Sequence, residues 1–205
     1  MVVVIVLINM EQNSTICGKL WCMCWVLADL IGSNNPTLQT IRRKESLYMQ
    51  DHASWLAQIP PEIGYYITGF ADGEGSFNVS LRRREDHRLG WDIDPSFNVS
   101  QRDRVILAFL KRIFGCGTLR TRRDGVVYFE VRNLSMLADR VLPFFERFRF
   151  RSAAKKRNFA IFSQIINVMR AEPLSEQLLR KVVMLRETLN EGHGRKRKYE
   201  ARHVL

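Results

Sequence analysis

Two glycines, Gly69 and Gly73, lie four residues apart in a segment that otherwise predicts a helix over residues 62–73. One face of this helix carries an apolar stripe: Ile63, Tyr66, Ile67 and Phe70. The opposite face carries the two glycines with Tyr65 and Asp72. Each glycine inside a helix costs about 1 kcal/mol relative to alanine. Close approach of a second helix would offset this cost, so we expect residues 62–73 to be buried on both sides.

Alternating apolar and polar residues predict two pairs of antiparallel strands. The first pair covers residues 76–84 and 91–100, and the second covers 118–123 and 126–132. The second pair turns at Asp124-Gly125, the commonest two-residue hairpin signal. Helical spacing predicts further helices over residues 106–113, 134–147 with a break near Pro143, 153–170 and 175–190. This order predicts an α+β domain with a four-stranded antiparallel sheet, helices on one face and the other face open.

The open face of the predicted sheet has the chemistry of a nucleic-acid surface. The chain has a formal charge of +11, and residues 1–60 contain four basic and four acidic side chains, so the whole excess lies in residues 61–205. Hydroxyl, amide and guanidinium groups, which bind base edges and phosphates, occupy the outward positions. Those chosen as DNA contacts include Ser76, Asn78, Ser80, Arg82, Ser96, Asn98, Arg120, Arg122, Tyr128 and Arg132. An anionic membrane or a ribosome would satisfy the charge balance equally well.

Two acids stand where the glycine-bearing helix meets the first strand, in the run Asp72-Gly73-Glu74-Gly75. Mg²⁺ prefers carboxylate and carbonyl oxygens, with phosphate and water completing its shell. Phosphodiester hydrolysis gains from such a cation. Glu74 is therefore a candidate metal ligand, with the carbonyl of Gly73 beside it. Taken alone, the tetrapeptide is better explained as a polar turn that ends a helix.

The two ends of the chain are predicted to lie outside the folded domain, which we assign to residues 59–190. Residues 1–58 contain apolar runs too short for a membrane span and no signal-peptide pattern. We expect a poorly ordered extension, or residues that precede the true start of translation. Residues 191–205 are expected to form a basic flexible tail. The cysteines fit neither a zinc site nor a disulfide framework, so we expect reduced thiols in bacterial cytoplasm or an organelle, and not secretion. Because the apolar runs are short, we expect no membrane partner.

Residues 67–75, Ile-Thr-Gly-Phe-Ala-Asp-Gly-Glu-Gly, resemble the nine-residue signature of the LAGLIDADG homing endonucleases. Gly69, Asp72 and Gly75 are identical to the signature, and Glu74 is a conservative change. The similarity extends over about residues 60–190, including the strand pairs and the run Leu142-Pro143-Phe144-Phe145. The signature occurs once in this chain. Members of the family with one copy act as homodimers, so the resemblance implies a homodimer that binds double-stranded DNA.

The resemblance also implies roles for individual residues. Helix 62–73 would pack against its twofold mate through Tyr65, Gly69, Asp72 and Gly73, and each sheet would form half of a saddle in the DNA major groove. Glu74 would bind the metal, Mg²⁺ or Mn²⁺, with the Gly73 carbonyl, and Gln101 would order nearby water. The family's lysine near the cleavage centre has its nearest counterpart in Lys155. The family's DNA-contacting positions match Ser76, Asn78, Ser80, Arg82, Arg84, Ser96, Asn98, Arg120 and Arg122.

Three functions are compatible with these features. The first is a metal-dependent endonuclease that cuts both strands of a long, imperfectly palindromic site and is encoded within an intron. The second is an RNA-binding maturase that assists splicing of its own intron. The third is a DNA-binding protein that retains the scaffold without cutting, although such a protein would not need a carboxylate at Glu74.

Overall fold

The computed structural model describes residue 40 and residues 54–86, 89–190 and 198–204. Its first half contains α1 (Pro61–Glu74), β1 (Gly75–Arg83), β2 (Trp91–Gln101), α2 (Arg104–Phe114), β3 (Thr118–Thr121) and β4 (Val127–Val131). Its second half contains α3 (Leu134–Met136), a π-helical segment (Leu137–Val141), α4 (Leu142–Arg147), α5 (Ala153–Ala171), α6 (Glu176–Thr188) and a 3₁₀ turn (Ala201–His203). The predicted α+β order is confirmed.

The four strands form one antiparallel sheet in the order β1-β2-β4-β3. Phe77 of β1 is paired with Phe97 of β2, and Phe97 is paired with Val131 of β4. All three side chains are buried, as the predicted alternation requires. The second hairpin turns at Gly125, whose φ of 79° favours glycine. The Gly125 amide donates to the Arg122 carbonyl at 3.1 Å, so the turn already begins at Arg122 and β3 ends earlier than predicted, at Thr121.

A cluster of phenylalanines joins the inner face of the sheet to the helices. The ring of Phe77 lies 5.0 Å from that of Phe162 in α5, and Phe145 of α4 stacks on Phe150 at 4.4 Å. Phe97 meets Phe145 edge to face at 5.3 Å. The helices therefore cover one face of the sheet. The opposite face carries the polar side chains that the alternation predicted.

The first strand begins where α1 ends because Gly75 terminates that helix with extended backbone at φ −80° and ψ 151°. Serine side chains start the two long helices of the second half. Ser152 Oγ accepts a hydrogen bond from the Lys155 amide at 3.3 Å, and Ser175 Oγ accepts one from the Leu178 amide at 3.1 Å. These contacts fix both helices close to their predicted starts.

The predicted break of the helix near Pro143 is wrong, because the helix continues through this residue. The chain stays helical from Leu134 to Arg147, but residues Leu137–Val141 adopt π-helical geometry, and the amide of Leu142 donates to the carbonyl of Leu137. Proline lacks an amide hydrogen and its ring crowds the carbonyl four residues earlier. A wider turn immediately before Pro143 relieves this conflict without ending the helix.

The buried face of α1 also differs from the predicted stripe. The buried residues are Gly64, Ile67, Thr68 and Ala71, whereas Tyr66 is 56% exposed. Phe148 packs so closely on Gly64 that a β-carbon there would overlap its ring. The hydroxyl of Thr68 donates to the Phe148 carbonyl at 3.0 Å. Small residues let this close packing occur. Of the predicted stripe, Ile67 is buried and Ile63 and Phe70 are half-buried, so the stripe is wrong only at Tyr66.

Residues 54–58 belong to the folded domain, which corrects the predicted boundary at residue 59. Trp55 Nε1 donates to the carbonyl of Ile113 at 2.8 Å, and the guanidinium of Arg140 lies 4.5 Å from the Trp55 ring centroid. Indole burial of this kind requires a fixed position for the chain. The remainder of the predicted extension, residues 1–39 and 41–53, lies outside the described residues.

Part of the predicted flexible tail packs on the domain. Tyr199 meets Trp91 edge to face with ring centroids 5.0 Å apart, and its carbonyl accepts a hydrogen bond from Arg186 at 3.0 Å. Arg186 is 5% exposed and also donates to the carbonyl of Val79 at 2.8 Å. Residues 191–197 lie outside the described residues. Across the part of the chain that the structure describes, no helix is long and apolar enough to span a membrane.

Candidate active site and nucleic-acid interface

One face of α1 is open in the single chain. Tyr65 is 51% exposed, Gly69 and Gly73 are exposed, and a β-carbon at either glycine would have nothing within 4 Å. The cost of two helical glycines is therefore not explained by a neighbour among the described residues. We call this face the glycine face (Tyr65, Gly69 and Gly73). No described residue covers its two glycines, where a second helix was predicted, while the Tyr65 ring meets Phe148 edge to face at 5.5 Å. Gly64, which the prediction did not single out, is the helical glycine in close contact within the chain.

Glu74 ends α1 with an exposed carboxylate that forms no hydrogen bond or ion pair with another described residue. The last carbonyls of a helix lack partners within the helix, so oxygen donors of two kinds meet here. Such hard donors fit a divalent cation. Among the described residues there is no group of three His, Cys, Asp or Glu side chains suited to a metal. A cation at Glu74 would thus take further ligands from water, phosphate or a second chain.

Asp72, predicted at the dimer interface, is instead engaged within its own chain. Its carboxylate accepts hydrogen bonds from the Ser152 hydroxyl and from the amides of Ser152 at 3.1 Å and Arg151 at 3.3 Å. Burial raises the pKa of Asp72, but these hydrogen bonds and nearby Lys155 outweigh it and hold the pKa below its ordinary 3.8. The unpaired amides at the start of α5 explain this placement, since a helix N-terminus attracts a carboxylate.

Lys155 lies at the same junction. Its Nζ donates to the carbonyl of Gly75, the residue that links α1 to β1. Burial lowers the pKa of Lys155, while the carboxylates of Asp72 and Glu74 act in the opposite direction. The structure therefore brings Lys155, Asp72 and Glu74 together at the end of α1. The first turn of α5 carries this cation because Asp72 anchors that turn.

Gln101 lies at the same end of the sheet without contacting Glu74. Gly75 is paired with Val99, so Gln101 extends two residues past the start of β1. Gln101 lies two residues after Val99 on β2, so it is on the same face of the sheet, the one that the helices cover, and it is paired with Val127. Its Oε1 accepts a hydrogen bond from the Arg102 amide at 2.8 Å. The predicted role of Gln101 in ordering water thus has support from its position in the sheet but from no direct contact.

The open face of the sheet presents most of the predicted DNA contacts. Ser80, Arg82 and Arg120 are exposed, and Asn78, Asn98 and Ser76 are half-buried, with Asn78 donating to Ser76 Oγ at 3.0 Å. Ser96 differs from the prediction because it is only 7% exposed between its neighbours on the central strand. A buried hydroxyl of this kind is not placed for direct contact with DNA.

Several arginines of this face are held by partners on the same face. Arg122 donates to Tyr128 Oη at 2.6 Å and lies over its ring at 5.4 Å. The hydrogen bond to Tyr128 raises the pKa of Arg122, and Asp124 at 3.6 Å adds to this effect. Arg84 donates to Asp86 at 3.0 Å beyond the end of β1. These pairs hold the guanidinium groups in defined positions.

Asp94 is the site residue that sequence reasoning missed. It lies on β2 with Arg82 on one side and Arg132 on the other, and its carboxylate pairs with both. The signal was present in the alternation, since Asp94 and both arginines were outward positions. Only the strand register, which pairs Ser80 with Asp94, shows that all three meet.

Comparison with known proteins gives a consistent result. The model of the family described as LAGLIDADG endonuclease matches residues 67–166. Homing endonuclease I-ApeII of Aeropyrum pernix is 33% identical over 103 residues, which are 49% of this chain and 60% of that protein. The chain thus spans less than two thirds of this relative.

Two solved structures share the fold. The archaeal intron-encoded homing endonuclease I-Vdi141I, complexed with DNA, has 30% sequence identity and a TM-score of 0.64, over 69% of this chain and 91% of that one. The homing endonuclease I-CvuI, in complex with its target in the presence of Ca, has 26% identity and a TM-score of 0.63, over 70% of this chain and 90% of that one.

Proposed function

Because the chain belongs to the LAGLIDADG endonuclease family, we propose that it is a homing endonuclease that cuts both strands of double-stranded DNA at a long, imperfectly palindromic site. The observation that carries this proposal is the pair of glycines on the glycine face of α1, which no described residue covers, on a helix that ends in the exposed carboxylate of Glu74. A second copy of the chain would cover the glycine face. It would also bring a second Glu74 to the same place.

The basic surface supports DNA as the substrate. Of the formal charge of +11, residues 59–190 carry +8, and the open sheet displays arginines, amides and hydroxyls. An antiparallel ribbon fits the major groove of DNA. The sheet would bind there, with its outward side chains reading base edges and its flanking arginines contacting phosphates.

The junction between α1, β1 and α5 would supply the chemistry. Glu74 and the Gly73 carbonyl would hold Mg²⁺ or Mn²⁺, which supplies charge stabilisation and activated water for phosphodiester hydrolysis. Lys155, half-buried beside these carboxylates, would stabilise negative charge that develops on the phosphate. Gln101, at the same end of the sheet, would orient water near the scissile bond.

The cleavage assay compares the parent with Glu74→Gln. The substrate is DNA of the intron-free allele of the locus that encodes the protein, with and without Mg²⁺. We expect the parent to cut both strands only with Mg²⁺ and the variant to bind without cutting. Glu62→Gln is the matched control, because Glu62 is an exposed carboxylate in the first turn of the same helix. Equal cutting by the parent and Glu74→Gln would refute the role of Glu74.

The same preparations distinguish the other functions. If the parent binds DNA and never cuts, the protein is a DNA-binding scaffold. If it does not cut but accelerates splicing of the RNA that contains its own coding intron, the maturase function replaces the proposed one. Localisation in bacterial cytoplasm or an organelle stays a prediction. The compartment depends on whether a bacterial or an organellar genome carries the coding intron.

A further inference from the structure

Asp94 joins two arginines across three adjacent chain segments on the open face of the sheet. Arg132 Nε donates to Asp94 Oδ1 at 3.1 Å, while its Nη2 and the Nη2 of Arg82 share Asp94 Oδ2. The side chain of Asp94 is 15% exposed, whereas those of Arg82 and Arg132 are 53% and 32% exposed. The acid thus lies at the base of the cluster, and the guanidinium groups stand above it.

The sheet register makes this cluster a fixed arrangement. Ser80 is paired with Asp94, so Arg82 is its diagonal neighbour on β1. Phe97 is paired with Val131, so Arg132 is the diagonal neighbour on the other side. Diagonal neighbours on one face lie within reach of long side chains. Both arginines therefore converge on one carboxylate without bending either strand.

The carboxylate changes what the arginines can bind. A cluster of two guanidinium groups and one carboxylate carries a net charge of +1 in place of +2, so its attraction for a phosphate is weakened. A guanidinium whose position is fixed retains the N–H groups that point away from the acid. Such a group suits the paired acceptors of a guanine edge, N7 and O6, because that contact depends on direction more than on charge.

We propose that Asp94 is a positioning residue for sequence specificity, which directs Arg82 and Arg132 towards guanine edges in the major groove and away from phosphates. The inference rests on the proposed function in so far as the open face binds DNA. It adds that the specificity of two contacts depends on an acid that itself touches no DNA, since both oxygens of Asp94 are occupied by arginine.

The test measures binding rather than cutting. The parent, Asp94→Asn and Asp92→Asn are each used to select duplexes from a library of random sequence. Each is then titrated with one random duplex over a series of salt concentrations. Asp92 is the matched control, because it lies on the same strand and face, two residues away, and its charge raises the pKa of Arg132 and of Arg84 without an ion pair to another described residue.

We expect Asp94→Asn to lose the preference for guanine at the selected positions by about tenfold, the loss expected for one good bidentate contact. Its binding to the random duplex should strengthen. The slope of log K against log salt should steepen by roughly 1 to 2, as freed arginines contact phosphates at about 0.9 per contact. Asp92→Asn should keep the guanine preference.

A second comparison separates positioning from a merely structural role. In a chain that also carries Arg82→Gln and Arg132→Gln, the substitution Asp94→Asn should have no further effect on specificity. The inference is overturned if Asp94→Asn keeps the guanine preference, or if affinity falls equally for all duplexes with an unchanged salt slope. If the parent itself selects no sequence, the proposed function and this inference both fail; if only the Asp94 result fails, the proposed function stands.

Discussion

Asp72 in the last turn of α1 accepts two hydrogen bonds from Ser152, one from its amide at 3.1 Å and one from its hydroxyl. This contact joins the helix that carries Glu74 to the start of the helix that carries Lys155. Two groups of the proposed active site, 81 positions apart in the sequence (155 − 74 = 81), are thereby held at one junction. Asp72 therefore stabilises the site through contacts within one chain.

Asp72→Asn is expected to lower the free energy of unfolding by about 1 kcal/mol at neutral pH, a typical value for a lost helix-capping contact. The pKa of Asp72 is lower in the folded chain than its ordinary 3.8. Its stabilising contribution is therefore present above about pH 4 and is lost as the pH falls through the folded-state value. Denaturant titrations at several pH values should show that the parent loses this component and that Asp72→Asn lacks it.

Ser152→Ala provides the control for that experiment. It removes the hydroxyl contact but leaves the amide of residue 152 bonded to Asp72. Because Ser152 Oγ also caps α5, we expect a loss of about 1 kcal/mol in the free energy of unfolding, with the acid-dependent component retained. Identical acid profiles for the parent and Asp72→Asn would show that the hydrogen bonds to Asp72 do not stabilise the fold.

Gly69→Leu is expected to abolish self-association without unfolding the chain. A β-carbon at Gly69 meets nothing within 4 Å in the single chain, and leucine favours a helix over glycine by about 1 kcal/mol. The isolated subunit should therefore be as stable as the parent or more so. Sedimentation velocity should show a dimer for the parent and a monomer for the variant. A dimeric Gly69→Leu variant would contradict the proposed packing of the glycine face.

Lys155→Met is expected to slow cleavage by about 10²-fold while DNA binding persists, as found when one charge-stabilising group is removed from an active site. Lys156→Met is the matched control, because Lys156 is the adjacent and exposed residue of the same helix turn. Single-turnover cleavage measures the difference. Equal rates for the two variants would mean that Lys155 acts only as part of the basic surface.

Trp55→Ala is expected to lower the free energy of unfolding by about 2 kcal/mol, since it removes partly buried aromatic area and the hydrogen bond to Ile113. Trp55→Phe should cost less, because a ring remains beside Arg140. Chemical denaturation compares the three proteins. An unchanged stability for Trp55→Ala would restore the domain boundary that the sequence predicted at residue 59.

The sheet was predictable because each strand shows its pattern locally. Alternation placed Phe77 and Phe97 inside, and Asp124-Gly125 located a turn, so both hairpins were predictable. The pairing of β2 with β4, which sets the strand order, has no local signal. The buried face of α1 was not predictable from its own spacing. It depends on Phe148, which lies 84 residues beyond Gly64 (148 − 64 = 84) and fills the space above it. Contacts between distant segments determine which face of α1 is buried, and helix propensity carries no information about this.

The candidate site was predictable only in part, namely where a residue stands in a sequence run that can be recognised. Glu74 stands in a recognisable sequence run. Lys155 was assigned through the resemblance, and its Nζ donates to the carbonyl of Gly75 at the same junction; its catalytic role stays a prediction. The ion pairs of Asp94 and the packing of Tyr199 on Trp91 depend on strand register and on chain closure. These features have no local signature, so they required the structure.

In the proposed enzyme, two subunits each deliver one Glu74 to the scissile phosphates of opposite strands. A dimer of one parent subunit and one Glu74→Gln subunit, purified through a tag on each, is incubated with a supercoiled target plasmid and Mg²⁺. We expect this mixed dimer to nick one strand and to give open-circular DNA. Linear product from the mixed dimer, at the rate of the parent, would contradict it.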